Sequence, residues 1–157
     1  MIRTRVGYTG DEKLDPTYHD LGGHTEALQL DFDPTVISYA DLLEHFWSSH
    51  SPTSPAYSAQ YKAAVFYHTE EQRALAHASM DKLAADAERI ICTELLPASR
   101  FYRAEDYHQK YCLRRNAELT AKLEAIYPDP GDFTDSTAAA RLNGQLAGFG
   151  ALAIDLA

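Results

Sequence analysis

The sequence contains 157 residues, of which 45% are hydrophobic and 24% are charged, a composition typical of one globular domain that buries a core without disulfide bonds. Its formal net charge is -9, from 14 basic and 23 acidic side chains. This balance argues against nucleic acid or an anionic membrane surface as a partner, because both require clustered Lys and Arg. No apolar stretch approaches the ~18 residues that cross a bilayer, so we expect a soluble protein.

Four stretches predict β-strands. Residues 2–8 and 24–32 alternate between apolar and polar side chains and stop at Gly or Pro turns, as half-buried strands do. Residues 60–67 end in Val65, Phe66 and Tyr67, and residues 89–96 read as a strand that stops at Pro97. We therefore predict a sheet whose strands are distributed over the first hundred residues.

Helices are predicted between and after these strands. Ser38 with Asp41, and Thr69 with Gln72, have the three-residue spacing of a capping box, in which each end of the motif satisfies a backbone N–H at a helix start. One face of the first of these helices carries four apolar side chains, Leu42, Leu43, Phe46 and Trp47. The helix that Thr69 opens should be the longer of the two.

The last third of the chain has a helical pattern. Residues 105–126 predict one helix, the Pro-Asp-Pro-Gly run at 128–131 predicts a break, and residues 136–146 predict a shorter helix. The apolar tail at 146–157 is short and interrupted by Gly148 and Gly150, so we expect it to dock on the body of the protein. Strands and helices in this order predict an α+β fold.

The two cysteines, Cys92 and Cys112, follow neither a zinc-site nor a Cys-x-x-Cys spacing and do not make a disulfide framework. The N-terminus lacks the apolar segment of a secretory signal, so we expect a cytoplasmic protein, and a monomer. Cys92 falls in a predicted strand and is expected to be a buried, inert packing residue. Cys112 is followed by two arginines, and a resolving or substitute role remains conceivable for it.

Eight short strings in the sequence form a recognisable series. They are Val6-Gly7-Tyr8-Thr9-Gly10, Asp15-Pro16-Thr17-Tyr18, Gly23-His24-Thr25-Glu26-Ala27, Asp33-Pro34, Ile37-Ser38-Tyr39, Phe46-Trp47, Gln60-Tyr61 and Ala104-Glu105-Asp106-Tyr107-His108-Gln109. The strings align, in order, with the A-type peptide methionine sulfoxide reductases, and the chain resembles that family over residues 2–112. The tail from residue 136 resembles the ending of a shorter subgroup.

The resemblance implies a two-layer α/β sandwich with a ferredoxin-like βαββαβ core. The family's nucleophilic cysteine lies in a Gly-Cys-Phe-Trp motif where the first strand meets the first helix, and this sequence does not contain that motif. We therefore expect the core to lack its first strand and helix here, the chain to be N-terminally truncated, and the cysteine to lie upstream of Met1. Residues 1–112 would form the reductase core and residues 113–157 a helical extension packed on it.

The resemblance also assigns the polar side of the site. Reduction needs a thiolate that attacks the sulfoxide sulfur and an acid that protonates the departing oxygen. Glu26 matches the family's acid, and an apolar pocket would keep its carboxyl protonated by desolvation. Tyr18 and Tyr61 match the two tyrosines that hold the oxygen. A further aspartate of longer members falls at Ala56, so that contact is absent, and the loop from Tyr18 to His24 is also shorter.

The expected function is thus reduction of methionine (S)-sulfoxide, free or in proteins, as protein repair under oxidative stress. Thioredoxin or another thiol would supply the electrons, and no cofactor or metal is expected. Glu105 and His108 lie one helical turn apart, but neither a His-x-x-x-His pair nor a Cys partner completes a metal site. Because the nucleophile is missing, the alternative is a non-catalytic module that binds methionine sulfoxide or a protein partner.

Overall fold

A computed structural model of the protein describes residues 1–150. It contains helices and strands in the order that an α+β fold requires. They are β1 (Arg3–Thr9), β2 (Thr25–Asp31), α1 (Tyr39–Ser48), a 3-10 turn (Ala59–Tyr61), β3 (Ala64–Tyr67), α2 (Glu70–Ala87), β4 (Glu94–Pro97), β5 (Tyr102–Arg103), α3 (Tyr111–Arg114), α4 (Ala117–Ile126), α5 (Pro130–Asp135) and α6 (Thr137–Leu146).

The strands form two sheets in the described chain. Three strands pair in the order β2-β1-β5, and β3 pairs with β4. The β3–β4 pair is parallel, with Val65 opposite Leu95 and Phe66 opposite Leu96. A parallel pair needs a long crossover connection, which α2 supplies here. The α+β class expected from the sequence is confirmed.

The chain divides into two compact units. The first consists of Met1–Gly7, Leu28–Asp33 and the described chain from Arg103 onward. Its helices pack on a cluster of buried apolar side chains, namely Leu113, Leu119, Leu123, Phe133, Ala139 and Leu142. In the same unit, the Arg5 guanidinium donates two hydrogen bonds to the Asp135 carboxylate, at 2.6 and 2.9 Å. This bidentate pair attaches α5 to β1.

The second unit consists of Tyr8–Ala27 and Pro34–Tyr102. Leu43 and Trp47 on α1 and Ala76 on α2 are buried at its centre, with Val65 and Leu95 of the parallel pair packed against them. The Trp47 indole N–H donates to the Ser79 hydroxyl at 3.0 Å, so its polar atom is satisfied. The apolar face predicted for the first helix is therefore the face that packs in this core.

The starts of α1, α2 and α6 agree with the sequence prediction. Ser38 and Asp41 form the reciprocal capping box at α1. At α2, the Thr69 hydroxyl accepts from the Gln72 N–H, as predicted, but the Gln72 side chain accepts from the N–H of His68 instead. Ser136 caps α6 by accepting from the Ala139 N–H.

Several predicted elements were wrong in extent. The strand at 89–96 is reduced to Glu94–Pro97, and the strand at 60–67 begins only at Ala64, after the 3-10 turn. The helix predicted over 105–126 is two helices, because Lys110 adopts a left-handed conformation with φ 55° and Asn116 starts a new helix by accepting from the Leu119 N–H.

Two elements were not predicted at all. The Pro-Asp-Pro-Gly run is the start of α5, because Pro130 occupies the first turn and the Asp129 side chain accepts from the Asp132 N–H. Strand β5 contains two residues, too few to show an alternating pattern.

The described part of the chain has no helix that is both long and apolar enough to cross a membrane. Most of the apolar tail at 146–157 lies outside the described residues, so its expected docking stays a prediction.

Candidate functional site

Tyr18 lies in a loop that is held by local hydrogen bonds. Thr17 and Asp20 form an antiparallel bridge on either side of it, and Lys13 is ion-paired with Asp20. At the base of the loop, the Asp11 carboxylate accepts from the Gly23 N–H at 2.7 Å. That hydrogen bond, with a second from the Glu12 N–H, lowers the pKa of Asp11 below its ordinary value. The loop therefore presents Tyr18 from a fixed base.

Glu26 and Tyr61 are brought together by the residue before Glu26. Thr25 begins β2 and is fully buried. Its hydroxyl lies 3.0 Å from the carbonyl oxygen of Gln60 and 3.3 Å from that of Lys62, on either side of Tyr61. This hydroxyl fixes the 3-10 turn against the strand. As a result, the side chains of Glu26 and Tyr61 face the same region.

The three predicted site residues form one polar cluster within the second unit. A hydrogen bond joins the hydroxyls of Tyr61 and Tyr18, and Glu26 is close enough to act on Tyr61 electrostatically. Partial desolvation, followed by the effects of Tyr18 and Glu26, raises the pKa of Tyr61 above its ordinary value of 10.0. Tyr61 is therefore a protonated hydroxyl at neutral pH and can donate a hydrogen bond to an oxygen.

Glu26 does not lie in an apolar pocket. Its side chain is exposed, and its Oε1 accepts a hydrogen bond from the Gln60 amide at 2.7 Å. The side chain thus lacks the apolar surroundings that were expected for it, and the expectation of an apolar pocket was wrong.

Cys92 does not have the environment expected for it. It is exposed and lies before β4. Its N–H donates to the Pro52 carbonyl at 2.7 Å, so the backbone at Cys92 pairs with a loop and not with a strand. Its thiol lies 3.5 Å from the Thr53 carbonyl oxygen. Cys112 is half-buried on α3, in the other unit. Both thiols are free rather than joined in a disulfide.

No group of three or more His, Cys, Asp or Glu side chains lies close enough to hold a metal ion anywhere in residues 1–150. The polar cluster of Tyr18, Glu26, Gln60 and Tyr61 is hereafter called the oxygen-side cluster. It offers hydroxyl donors and one carboxyl group, which suits a neutral ligand with a polarised oxygen.

The family model for peptide methionine sulfoxide reductase matches residues 1–138 of the chain. The chain belongs to the peptide methionine sulfoxide reductase family. It is 43% identical over 155 residues to a peptide methionine sulfoxide reductase of Drosophila melanogaster, covering 97% of this chain and 61% of that protein. It is 44% identical over 122 residues to the enzyme MsrA of Methanosarcina acetivorans, covering 71% and 65%. The chain thus spans less than two thirds of these relatives' length.

Two solved structures show a similar fold. Methionine sulfoxide reductase A of Corynebacterium diphtheriae aligns with a TM-score of 0.59 and 30% identity, covering 73% of this chain and 63% of that one. The reduced form of Mxr1 from Saccharomyces cerevisiae aligns with a TM-score of 0.66 and 25% identity, covering 73% and 71%. The described elements therefore have a methionine sulfoxide reductase A-like arrangement.

Two residues of the oxygen-side region had no predicted role. Gln60 belongs to a string that resembles the family, but nothing in its neighbourhood along the chain indicates that it contacts Glu26. Thr25 adjoins Glu26 in sequence, and its link to the 3-10 turn joins positions 35 residues apart. Such long-range hydrogen bonds leave no periodic signal, so local sequence patterns could not have identified either residue.

Proposed function

We propose that the protein reduces the (S)-sulfoxide of methionine, free or in proteins, and so serves protein repair under oxidative stress. The observation that carries the proposal is the oxygen-side cluster. Tyr61 lies far from Tyr18 and Glu26 in sequence, yet it shares a hydrogen bond with Tyr18 and lies close enough to Glu26 for an electrostatic effect. All three match residues that contact the sulfoxide oxygen in the family.

The proposed reaction moves one oxygen and two electrons. A cysteine thiolate attacks the sulfoxide sulfur, the S–O bond to methionine breaks, and the oxygen, with one proton, ends on the cysteine as a sulfenic acid. Methionine sulfur is reduced and cysteine sulfur is oxidised. Two external thiols then reduce the sulfenic acid, which yields their disulfide and one water.

Each member of the cluster has a separate part in this reaction. The hydroxyls of Tyr18 and Tyr61 would donate hydrogen bonds to the sulfoxide oxygen, whose negative charge grows as the S–O bond breaks. Glu26 would supply the proton. Because Glu26 is exposed, we infer that the bound substrate, together with the nucleophile's segment, covers the carboxyl group and shields it from water.

The nucleophile in this proposal is a cysteine that the 157 residues do not contain. Neither Cys92 nor Cys112 lies in a Gly-Cys-Phe-Trp string, and Cys112 belongs to the unit that does not carry the oxygen-side cluster. Thioredoxin or another thiol would serve as the reductant. We place the reaction in the cytoplasm, where two unpaired thiols such as Cys92 and Cys112 stay reduced.

We take the described strands and helices as a ferredoxin-like βαββαβ core without its first strand and helix, formed by residues 1–112. The segment from residue 113 onward is then a helical extension packed on that core. We further propose that the protein acts as a monomer. A sedimentation measurement on the protein from its native source would test that state directly.

The test of the function is turnover by the protein purified from its native source, with its intact mass recorded first. We expect methionine to form from (S)-sulfoxide and not from (R)-sulfoxide when dithiothreitol is present. Dimedone, which reacts with sulfenic acids, should label one cysteine once substrate is added. The variant Glu26→Gln should lose most of this turnover, whereas the control Glu124→Gln, at an exposed position in the other unit, should keep it.

The alternative function is a non-catalytic module that binds methionine sulfoxide or a protein partner. It is favoured by the absence of the nucleophile's motif from the 157 residues. An intact mass equal to that of the 157 residues, with (S)-sulfoxide bound but neither methionine nor a dimedone adduct formed, would overturn the enzymatic proposal and support the module.

A further inference from the structure

Tyr57 is an exposed aromatic residue beside the oxygen-side cluster, and neither the family resemblance nor the sequence patterns gives it a role. We propose that Tyr57 forms a second subsite, which binds an apolar or aromatic side chain next to the methionine sulfoxide in a substrate polypeptide. This inference rests on the proposed function, because it extends the same site. The proposed substrates are polypeptides in which the methionine sulfoxide has an apolar or aromatic neighbour.

The geometry of Tyr57 supports a binding role. Its ring centroid lies 5.3 Å from that of Tyr61, with an angle of 34° between the ring planes. Nevertheless Tyr57 is 85% exposed, so the contact with Tyr61 covers only a small part of it. A large aromatic surface is therefore left open, directly against the residue proposed to hold the sulfoxide oxygen.

The fold gains little from this tyrosine. A side chain that is 85% exposed buries too little apolar area to stabilise the unit substantially. The 3-10 turn that carries Tyr61 is instead held by the Thr25 hydroxyl and by the hydrogen bond from the Tyr61 N–H to the Ser58 carbonyl. Removing the ring of Tyr57 should therefore leave the oxygen-side cluster in place.

The spacing fits a neighbouring residue of the substrate. An extended peptide advances about 3.3–3.6 Å per residue, so a step of one or two residues covers the 5.3 Å between the two rings. A methionine sulfoxide held by Tyr18 and Tyr61 would thus have an adjacent side chain within reach of Tyr57. Tyrosine presents a rigid surface with few rotatable bonds, so little conformational entropy is lost on contact.

The surface favours apolar and aromatic side chains. Aromatic rings contact one another in offset or edge-to-face geometry, and Tyr57 already contacts one ring at a tilted angle. A second ring from the substrate would extend this arrangement. A glycine neighbour offers no side chain, so it would gain nothing from Tyr57.

Binding to the 157-residue chain tests the inference without any need for turnover. The probes are N-acetyl-methionine (S)-sulfoxide methylamide, a peptide with glycine on both sides of the (S)-sulfoxide, and two peptides with phenylalanine on one side or the other. Dissociation constants are measured by NMR titration for the wild type, for Tyr57→Ala and for Tyr57→Phe. Tyr111→Ala is the matched control, since Tyr111 is also exposed but lies in the other unit.

We expect the wild type to bind at least one phenylalanine peptide about two- to tenfold more tightly than the glycine peptide, the range that one aromatic contact supplies. Tyr57→Ala should abolish this preference and leave the affinity for the methylamide unchanged. Tyr57→Phe and Tyr111→Ala should keep the preference.

Two other outcomes are distinguishable. If the methylamide binds but the phenylalanine preference is absent from the wild type, or persists in Tyr57→Ala, the subsite is refuted and the proposed function stands. If no sulfoxide probe binds even at millimolar concentration, the proposed function and the inference both fail.

Discussion

Lys110 is a buried lysine whose effect on stability should depend on pH. It is 4% exposed, and its ammonium group donates to the backbone carbonyl of Thr4 and, at 2.8 Å, to the Thr4 hydroxyl. Desolvation, only partly offset by the charge of Asp135, lowers the pKa of Lys110 from 10.5 to about 8. Between pH 8 and pH 10.5, Lys110 is protonated in the unfolded chain but has released its proton in the native protein. The free energy of unfolding must therefore rise with pH across this window.

The size of the effect follows from the shift. One pKa unit corresponds to about 1.4 kcal/mol, so the whole shift corresponds to at most about 3.4 kcal/mol. By pH 10 about 2.5 kcal/mol of this would be realised. Residual hydration of the amine reduces the figure, and we expect a rise of about 1 to 2 kcal/mol between pH 7 and pH 10.

The assay compares the wild type with Lys110→Met in urea at pH 7, 8, 9 and 10, with unfolding followed by circular dichroism. Methionine is similar to lysine in volume, and it is equally strained in the left-handed conformation of residue 110. Loss of the hydrogen bonds to Thr4 changes the free energy of unfolding by an amount that does not depend on pH. The wild type should gain stability relative to the variant as pH rises. A difference between the two that stays constant or falls would refute the reasoning. Lys82→Met, at an exposed position on α2, is the control, and its difference should stay constant.

Two further predictions concern the ion pair in the first unit and the thiols. Asp135→Asn removes the charged partner of Arg5 and should lower the free energy of unfolding by about 1–3 kcal/mol at pH 7. The hydrogen bond from Arg5 lowers the pKa of Asp135 from 3.8, so this stabilisation is present above pH 4 and is lost as pH falls through the lower, folded-state value. Denaturation curves of the wild type and the variant at pH 3 and pH 7 would check this dependence. An equal loss of stability in the variant at both pH values would contradict it. Iodoacetamide should alkylate Cys92, which is exposed, faster than the half-buried Cys112; mass spectrometry of partly labelled native protein measures this, and faster labelling of Cys112 would contradict the structure.

Local chemistry explains which elements could be predicted. The starts of α1, α2 and α6 follow from Ser38, Thr69 and Ser136, since a capping hydrogen bond joins residues only three apart. The break at Lys110 could not be predicted, because a lysine in the left-handed region is held there by tertiary contacts with Thr4, over a hundred residues away. Strand β5 is likewise defined by its partner strand and has no pattern of its own.

The candidate site depends even more on long-range contacts. In the sequence, Glu26 is one carboxylate among many, and Tyr18 and Tyr61 are two of ten tyrosines. Their proximity follows from the Thr25 hydroxyl and the bridged loop around Tyr18. Only the resemblance to the family indicated that the three belong together. The exposure of Glu26 could not be anticipated from that resemblance, because burial depends on every segment packed around the side chain.

The most direct test of the central claim is an NMR titration of the chain with the (S) and (R) epimers of N-acetyl-methionine sulfoxide methylamide. We expect the (S) epimer to bind and to shift the ring signals of Tyr18 and Tyr61, and the double variant Tyr18→Phe/Tyr61→Phe to bind it at least about tenfold more weakly, as loss of two hydrogen bonds of about 1 kcal/mol each implies. Equal binding of both epimers, or unchanged affinity in the double variant, would show that this cluster does not hold the sulfoxide oxygen.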